Sequence, residues 1–398
     1  MRIAFFTDSF YPELGGIQDA LELVARHLAS RGHHIDIFAP QYCRRDYAVA
    51  LLPQKELNLG PNISLHRIPS ISLPSPTLQS RLALPTSVMP RKAPPPNVIH
   101  THTFGSLGLY AIAAAKCLRI PLIGTNHTAI KAFAAYFPFS AQALSTYVLW
   151  FFNRCNLVSA PSRSVFDDLG RHRILKPLHI VPNPVDVELF HPGGEQSRYH
   201  AKKQLGFSSK TIIYAGRLAA EKNVDLLIRA VTILKKTFPS ILLAVAGHGS
   251  AEADLRALVE QLNLQNHVKF LGTLTKPLLA HAFQAADLFA TMSTSETQCL
   301  ALFQAMAAGL PVVCANSRAL SEFISDQIGI LIRSGNYYLL AERVAQLFGD
   351  EQELRRLSKN AESFAAHFTA AHIGFEWECL YGQMLGTPFA TLPYSATS

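Results

Sequence analysis

The sequence is short of charge, of paired cysteines and of long apolar runs. Only 16% of its 398 residues are charged while 49% are hydrophobic, a balance that excludes a disordered chain. That length is too great for one ordinary core and implies two domains of roughly 150 to 200 residues each. The six cysteines, Cys43, Cys117, Cys155, Cys299, Cys314 and Cys379, are scattered without paired spacing. Such scatter speaks against a disulfide frame and a zinc site, and suits a reducing cytosol. No uninterrupted apolar run reaches the ~18 residues of a membrane span. The nearest, Ala132 to Phe152, is broken by Pro138, Ser140, Gln142 and Ser145. Met1 to Asp8 reads as a buried strand and not as a secretion signal. The expectation is a cytoplasmic chain, free or seated on a membrane surface.

Acid is missing locally as well. Leu57 to Phe166 holds nine basic residues (Arg67, Arg81, Arg91, Lys92, Lys116, Arg119, Lys131, Arg154 and Arg163) and no acidic one. The formal net charge of +8 is correspondingly lopsided: residues 1–190 carry +7 of it and residues 191–398 carry +1. A field of one sign on one half suits an anionic partner, or a basic surface kept for solubility.

What is present is alternation. Short β-branched runs at Ile3–Thr7, Ile35–Ala39, Ile63–Arg67, Val98–His102, Leu122–Thr125, Leu157–Ala160 and His179–Val181 read as strands, with helical stretches between them. Ile17, Ala20, Leu21, Val24 and Leu28 keep a helical period that Gly32 ends. The alternation restarts at Thr211–Ala215, Leu242–Ala246, Val268–Leu271, Leu288–Thr291, Pro311–Cys314 and Gly329–Ile332. Pro182–Gly206 is expected to be the linker, and the proline-rich Pro69–Pro96 an irregular surface loop. The architecture is α/β: an N-terminal Rossmann-like domain over residues 1–190, a C-terminal one over 191–369, and a cleft between them. A last helical stretch, about Ala370 to Leu385, is expected to cross back, so that residues from about 370 to 398 join the first domain. Ligands bind beyond the carboxyl ends of strands in such sheets.

Three clusters fall at those ends. The first strand meets Thr7-Asp8-Ser9-Phe10-Tyr11-Pro12-Glu13-Leu14-Gly15-Gly16, which lacks the G-x-G-x-x-G of dinucleotide enzymes; no Walker A motif occurs either. Gly15 and Gly16 before a helix make an anion cradle from backbone N–H groups and the positive helix end, or an ordinary tight turn. The second half opens with Ala215-Gly216-Arg217 and, five residues on, Lys222. Two fixed cations there can neutralise a departing diphosphate, or be solvated loop residues. The third cluster, Ser293-Thr294-Ser295-Glu296-Thr297-Gln298-Cys299-Leu300, sets a carboxylate near a helix start, where it could also serve only as a dipole partner.

Taken together, Gly216-Arg217-x4-Lys222, the Glu296 cluster and Ala305-Met306-Ala307-Ala308-Gly309-Leu310-Pro311-Val312-Val313 resemble the retaining GT-B glycosyltransferases of carbohydrate family four. His100-Thr101-His102, Thr125-Asn126-His127-Thr128, Pro182-Asn183-Pro184-Val185-Asp186 and Gly247-His248-Gly249 match in the family's order. Ser-Glu-Thr-Gln and Pro-Asn-Pro-Val-Asp look most like the branch that glucosylates diacylglycerol. The resemblance implies that Gly16 lies against the donor phosphates or sugar, and that His127 reaches the sugar near the reacting centre. It implies that Arg217 and Lys222 hold the diphosphate and that Glu296 bonds the sugar hydroxyls. Backbone N–H groups of the Thr297, Gln298, Cys299 and Leu300 loop would help the phosphates, and Gly247 and Gly249 would give the base close access to backbone.

Two positions depart from the family. Its second carboxylate, a ribose acceptor, is Gln304 here, without the charge assistance that roughly doubles such a bond. Its glycine after Thr-Gln is Cys299, which restricts backbone approach. No Asp-x-Asp pair occurs, so the two cations and a helix end stand in for a metal, and no cofactor is expected beyond the donor, UDP-glucose. A basic stretch interleaved with Phe133, Tyr136, Phe137, Phe139, Tyr147, Trp150, Phe151 and Phe152 suits docking on the inner face of an anionic cell membrane, where a lipid hydroxyl could enter the cleft. The same aromatics could instead be core. The expected reaction moves glucose to a membrane lipid such as diacylglycerol with retained configuration. The alternatives are a mannosyl- or other hexosyltransferase with a polysaccharide or soluble acceptor, and a catalytically silent nucleotide-sugar binder. No nucleic-acid module is present.

Overall fold

The computed structural model describes residues 1–73, 79–84, 94–129, 140–171, 174–207 and 210–387. Strands β1 (Arg2–Phe6), β2 (His34–Pro40), β3 (Ile63–Ile68), β6 (Val98–Thr101), β7 (Leu122–Thr125), β8 (Leu157–Ala160) and β9 (Leu178–Ile180) form a seven-stranded parallel sheet in the order β3-β2-β1-β6-β7-β8-β9. Between β3 and β6 the chain makes a separate antiparallel ribbon of β4 (Ser70–Ser72) and β5 (Arg81–Ala83). Strands β10 (Thr211–Ala215), β11 (Leu242–Ala246), β12 (Val268–Gly272), β13 (Leu288–Thr291), β14 (Val312–Ala315) and β15 (Gly329–Ile332) form the second parallel sheet, ordered β12-β11-β10-β13-β14-β15. Every residue of β10, β11, β13 and β14 is buried. Helices cover both faces of a sheet of this kind, which is why its strands read as unbroken apolar runs instead of alternating ones.

Both sheets reverse their winding once. β1 lies between β2 and β6, and β10 lies between β11 and β13. At such a switch the loops leaving the two neighbouring strands part and open a crevice. The loops after β1, β6, β10 and β13 therefore line the crevices, and the three clusters singled out in the sequence follow β1, β10 and β13.

Two adjacent crossings join the sheets: Val185 bridges Thr369 in parallel, and its N–H donates to the Phe368 carbonyl at 2.7 Å. The second crossing leads into helix Ala370–Met384, which packs on helix Gly16–Ser30 of the first sheet. Ile373, Trp377, Leu380 and Tyr381 share one core with Ile3, Phe5, Leu21, Val24 and Ile123. Trp377 lies 4.5 Å from the His100 ring, centroid to centroid, and the Tyr381 hydroxyl meets His100 Nδ1 at 2.8 Å. Buried Glu378 receives His33 Nε2 at 2.7 Å.

Two expectations need correction. Pro69–Pro96 is not wholly irregular, because β4 and β5 fall within it. Arg81 is buried there and pairs with buried Asp46 at 2.5 Å, a tertiary anchor with no local period. Residues 182–206 are not all linker: Glu195–Leu205 is a helix, held by Arg198 and Lys202 on Asp287 at 2.5 and 2.7 Å. Among the described residues no helix is long and apolar enough to cross a membrane.

Trp377→Ala removes a buried indole that locks the second crossing to the first sheet. A loss of about 3–5 kcal/mol is expected in denaturant unfolding; an unchanged midpoint would show that the terminal helix is not part of the core.

Candidate active site

The two crevices face each other, and their loops touch. The Thr297 hydroxyl, on the loop after β13, donates to the His127 carbonyl after β7 at 3.2 Å. A Cβ at Gly16, where the first helix begins, would come within 3.3 Å of the Leu300 Cβ. The Gly15–Gly16 helix start thus abuts the loop that begins helix Leu300–Ala307.

At the centre stands an ion pair. Lys222 Nζ donates to Glu296 Oε1 at 2.7 Å, with both side chains largely removed from water. Burial pushes the Glu296 carboxyl up, but the Lys222 ammonium, with hydrogen bonds from Lys222 and Ser293, outweighs it and holds the acid below its ordinary range. Burial likewise pulls Lys222 down, and Glu296 more than restores it. Both groups stay charged. The loops carrying them are cross-braced: Thr294 N–H donates to the Glu221 carbonyl at 3.1 Å, and Asn223 Nδ2 to the Met292 carbonyl at 2.9 Å. Arg217 pairs with Glu221 at 3.0 Å and its carbonyl accepts from the buried Tyr214 hydroxyl at 3.0 Å. A lysine has three N–H donors, so one bond to Glu296 leaves capacity for an anionic oxygen.

Gly247 and Gly249 have an internal reason to be glycine. A Cβ at Gly247 would stand 1.9 Å from the Gly216 carbonyl oxygen, and one at Gly249 2.2 Å from that of Leu218. The loops after β10 and β11 touch backbone to backbone, and only glycine permits it.

The two departures from the family pattern have a geometry. Cys299 caps helix Leu300–Ala307 with φ 68° and ψ 70°, in the left-handed region where glycine is at ease. A side chain in that conformation costs about 1–2 kcal/mol. Its thiol is pushed well above the ordinary range by burial and by Glu296, so it stays protonated. Gln304 is buried on the side of the cleft facing Asp19, whose carboxyl burial pushes up against the lowering effects of Lys276 and the Gln304 amide. Asp19 and Glu22 also take Lys276 from the second half at 2.9 and 2.8 Å. A glutamate at 304 would set a second acid against Asp19, where the neutral amide favours its ionised form. Gln298 is spoken for as well: its carbonyl accepts from Asn183 N–H at 2.6 Å and its amide donates to the Asn183 carbonyl at 2.9 Å. Its side chain therefore staples the loop to the first crossing and does not face the cleft.

Three histidines stack at the ends of β6 and β7. His100 and His102 lie 4.0 Å apart and His102 and His127 5.7 Å apart, centroid to centroid. Burial pulls His127 down to about 4, and His100 and His102 well below the ordinary value, so all three rings are neutral. His127 approaches His102 Nδ1 through Nε2 at 3.4 Å. In the loop after β1, burial pushes the Glu13 carboxyl up to about 7, against hydrogen bonds from Ser9 and Tyr42.

The basic stretch is less free than its composition suggests. Arg67 pairs with Glu56, Arg81 with Asp46 and Arg163 with Asp167, all acids just outside it. Phe151 and Phe152 are core. Trp150 is 41% exposed with the Arg154 guanidinium 3.8 Å over it. That pair ends helix Ala141–Phe152, which runs back from the carboxyl edge of the sheet, so it lies away from the cleft. Phe133, Tyr136, Phe137, Phe139, Arg91, Lys92 and Lys131 fall outside the described residues.

Sequence reasoning missed Asp19, Lys276 and Glu322. Glu322 accepts the Arg163 and Ser164 N–H groups at 2.6 and 3.1 Å, capping a first-sheet helix from the other half. Arg318 beside it reaches Asp168 at 2.7 Å. Partners this far apart in sequence carry no spacing signal.

Comparison with known proteins matches the chain in two pieces. Residues 14–189 match the model of Glycosyltransferase Family 4, and residues 195–364 that of Glycosyl transferases group 1. A Streptococcus pneumoniae alpha-monoglucosyldiacylglycerol synthase is 28% identical over 82% of this chain and 74% of its own length. A Corynebacterium glutamicum GDP-mannose-dependent alpha-mannosyltransferase is 25% identical over 97% of this chain and 88% of its own. The crystal structure of Anabaena HepE in complex with UDP and glucose superposes with a TM-score of 0.77 at 20% identity, covering 96% of this chain and 100% of that one; at that identity the likeness is one of fold.

Gln304→Glu is expected to destabilise the protein by setting two carboxylates together, and Asp19→Asn in the same chain to recover the loss. The double variant should exceed the sum of the singles by about 1 kcal/mol or more in denaturant unfolding. Additive effects would show that the two side chains do not meet.

Proposed function

Since the chain belongs to the family 4, group 1 glycosyltransferases, we propose that it moves a hexose, glucose, from a uridine diphosphate to the hydroxyl of a membrane lipid such as diacylglycerol, retaining the anomeric configuration. The observation that carries this reading is the charged Lys222–Glu296 pair where the two crevices meet. A diphosphate gathers negative charge as its bond to the sugar breaks, and fixed cations placed where that charge grows stabilise the transition state. Lys222 and Arg217 fill this role, aided by the start of helix Leu300–Ala307 and the backbone of Thr297 to Leu300. Glu296, an acceptor held ionised, takes the sugar hydroxyls. His127, neutral and tied to Thr297, stands by the sugar. Gly15 and Gly16 close the donor from the first sheet, and Gln304 meets the ribose.

For retention, the leaving phosphate accepts the proton of the attacking hydroxyl on the face it departs from. No carboxylate nucleophile is then required. Glucose and a lipid acceptor are supported by the diacylglycerol-glucosylating relatives, one covering 82% and another 91% of this chain. Contact with an anionic membrane would fall to the basic first half, on the inner face of the cell membrane. A second reading, a mannosyl donor on guanosine diphosphate, is favoured by the mannosyltransferase relative that spans 97% of the chain.

Nucleoside diphosphate release, measured over UDP-glucose, UDP-galactose and GDP-mannose with diacylglycerol in anionic vesicles, separates the readings. UDP-glucose should be the best donor, with release dependent on the lipid. Preference for GDP-mannose would overturn the donor assignment, and lipid-independent transfer to a soluble glycan would overturn the acceptor. No release from any donor would favour a silent binder.

A further inference from the structure

Buried polar atoms without hydrogen-bond partners are rare in folded proteins, because each has given up its bonds to water for nothing in return. Among the described residues three such atoms belong to side chains that follow β6 and β7: His102 Nε2, Asn126 Nδ2 and His127 Nδ1. Asn126 and His102 are 1% and 6% exposed. Asn126 Oδ1 accepts from Thr128 N–H at 3.1 Å, which orients the amide and leaves its two N–H groups over. His100, two residues earlier, is a contrast. Both its nitrogens are occupied, by Tyr381 and Thr125 at 2.8 and 2.7 Å, so it is a structural histidine.

We propose that His102 and Asn126 belong, with His127, to the surface that recognises the hydroxyl groups of the transferred hexose. The inference rests on the chain's using a nucleotide-sugar donor; what it adds is two residues and the chemistry of the group they take. His102 and His127 share one N···N contact, at 3.4 Å. A neutral imidazole has one N–H and one bare nitrogen. If His102 donates in that contact, His127 Nδ1 is left as a donor and His102 Nε2 as an acceptor. If His127 donates, the two exchange roles. In either tautomer the pair offers one donor and one acceptor on the outer edges of the two rings, which two hydroxyls of one sugar can match, one giving and one receiving. A phosphate oxygen, which only accepts at neutral pH, would leave one nitrogen unmatched. Asn126 adds donors for the lone pairs of a neighbouring hydroxyl. The Thr297–His127 bond sets this group against the loop of Glu296, so the sugar would lie between an acceptor-only carboxylate and a mixed imidazole–amide wall.

The test isolates the hexose. Calorimetric dissociation constants of the full chain for UDP and UDP-glucose, and for GDP and GDP-mannose, give the factor by which the sugar tightens binding. Asn126→Ala and His102→Phe, the latter keeping the ring stack, should each cut that factor by about tenfold, the worth of a lost hydrogen bond. The constants for the bare nucleotides should stay the same, and His102→Gln, whose amide can either donate or accept at that place, should recover part of the loss. A factor within twofold of the unaltered protein, or an equal loss for the bare nucleotides, would overturn the assignment. Where His102→Phe does not fold, UDP-glucose analogues lacking single hydroxyls replace it: a tenfold loss at one position supports recognition there, and none at any position overturns it. An unaltered protein that gains nothing from either hexose would fail earlier, at the donor reading itself.

Discussion

Everything in the cleft is arranged around one buried ion pair, Lys222 with Glu296. Taking two charges out of water costs several kcal/mol per ion, and such pairs seldom repay that cost in stability. This one is sustained by the loops that carry it, braced by Thr294 on the Glu221 carbonyl and Asn223 on the Met292 carbonyl. The return is electrostatic preorganisation. A cation held in place before the diphosphate arrives needs no reorientation as charge develops. The tight backbone contacts of the Gly216 and Gly247 loops, and the left-handed Cys299, serve the same end by fixing where β10 and β13 deliver their residues.

The ion pair lies on one half of the molecule, and the proposed chemistry requires both. The halves are joined covalently at two crossings and laterally by polar contacts: Lys276 with Asp19 and Glu22, Gln304 with Asp19, Arg318 with Asp168, and Glu322 on the start of a first-sheet helix. Such contacts are individually small and reversible in water, which suits a cleft that must admit a donor and then exclude solvent. The terminal helix is different. Trp377 and Tyr381 enter the core of the first sheet behind His100, so the end of the chain supports the histidine stack from behind.

Much of this was legible in the sequence, for a definite reason. Strands buried on both faces appear as unbroken apolar runs, and the predicted strands of both sheets agree with the observed ones to within a residue at most ends. The loops that carry chemistry were legible because they follow those strands. What stayed hidden depends on contacts between distant residues. The β4–β5 ribbon is anchored by Arg81 on Asp46. The polar helix Glu195–Leu205 looks like linker until Asp287 gathers Arg198 and Lys202. Gln304 looked like a weakened glutamate; beside Asp19, a neutral amide is the side chain that fits. The charge of the acid-free stretch was overstated by composition, since Arg67, Arg81 and Arg163 find acids just beyond its ends.

The central claim is that Lys222 and Glu296 hold the diphosphate and the sugar of a transferred hexose. The direct measurement is turnover of the best donor by Lys222→Ala and Glu296→Ala, alongside their thermal unfolding. The account predicts a loss of about a hundredfold or more in each, with cooperative unfolding retained. Near-normal rates in either folded variant would contradict it.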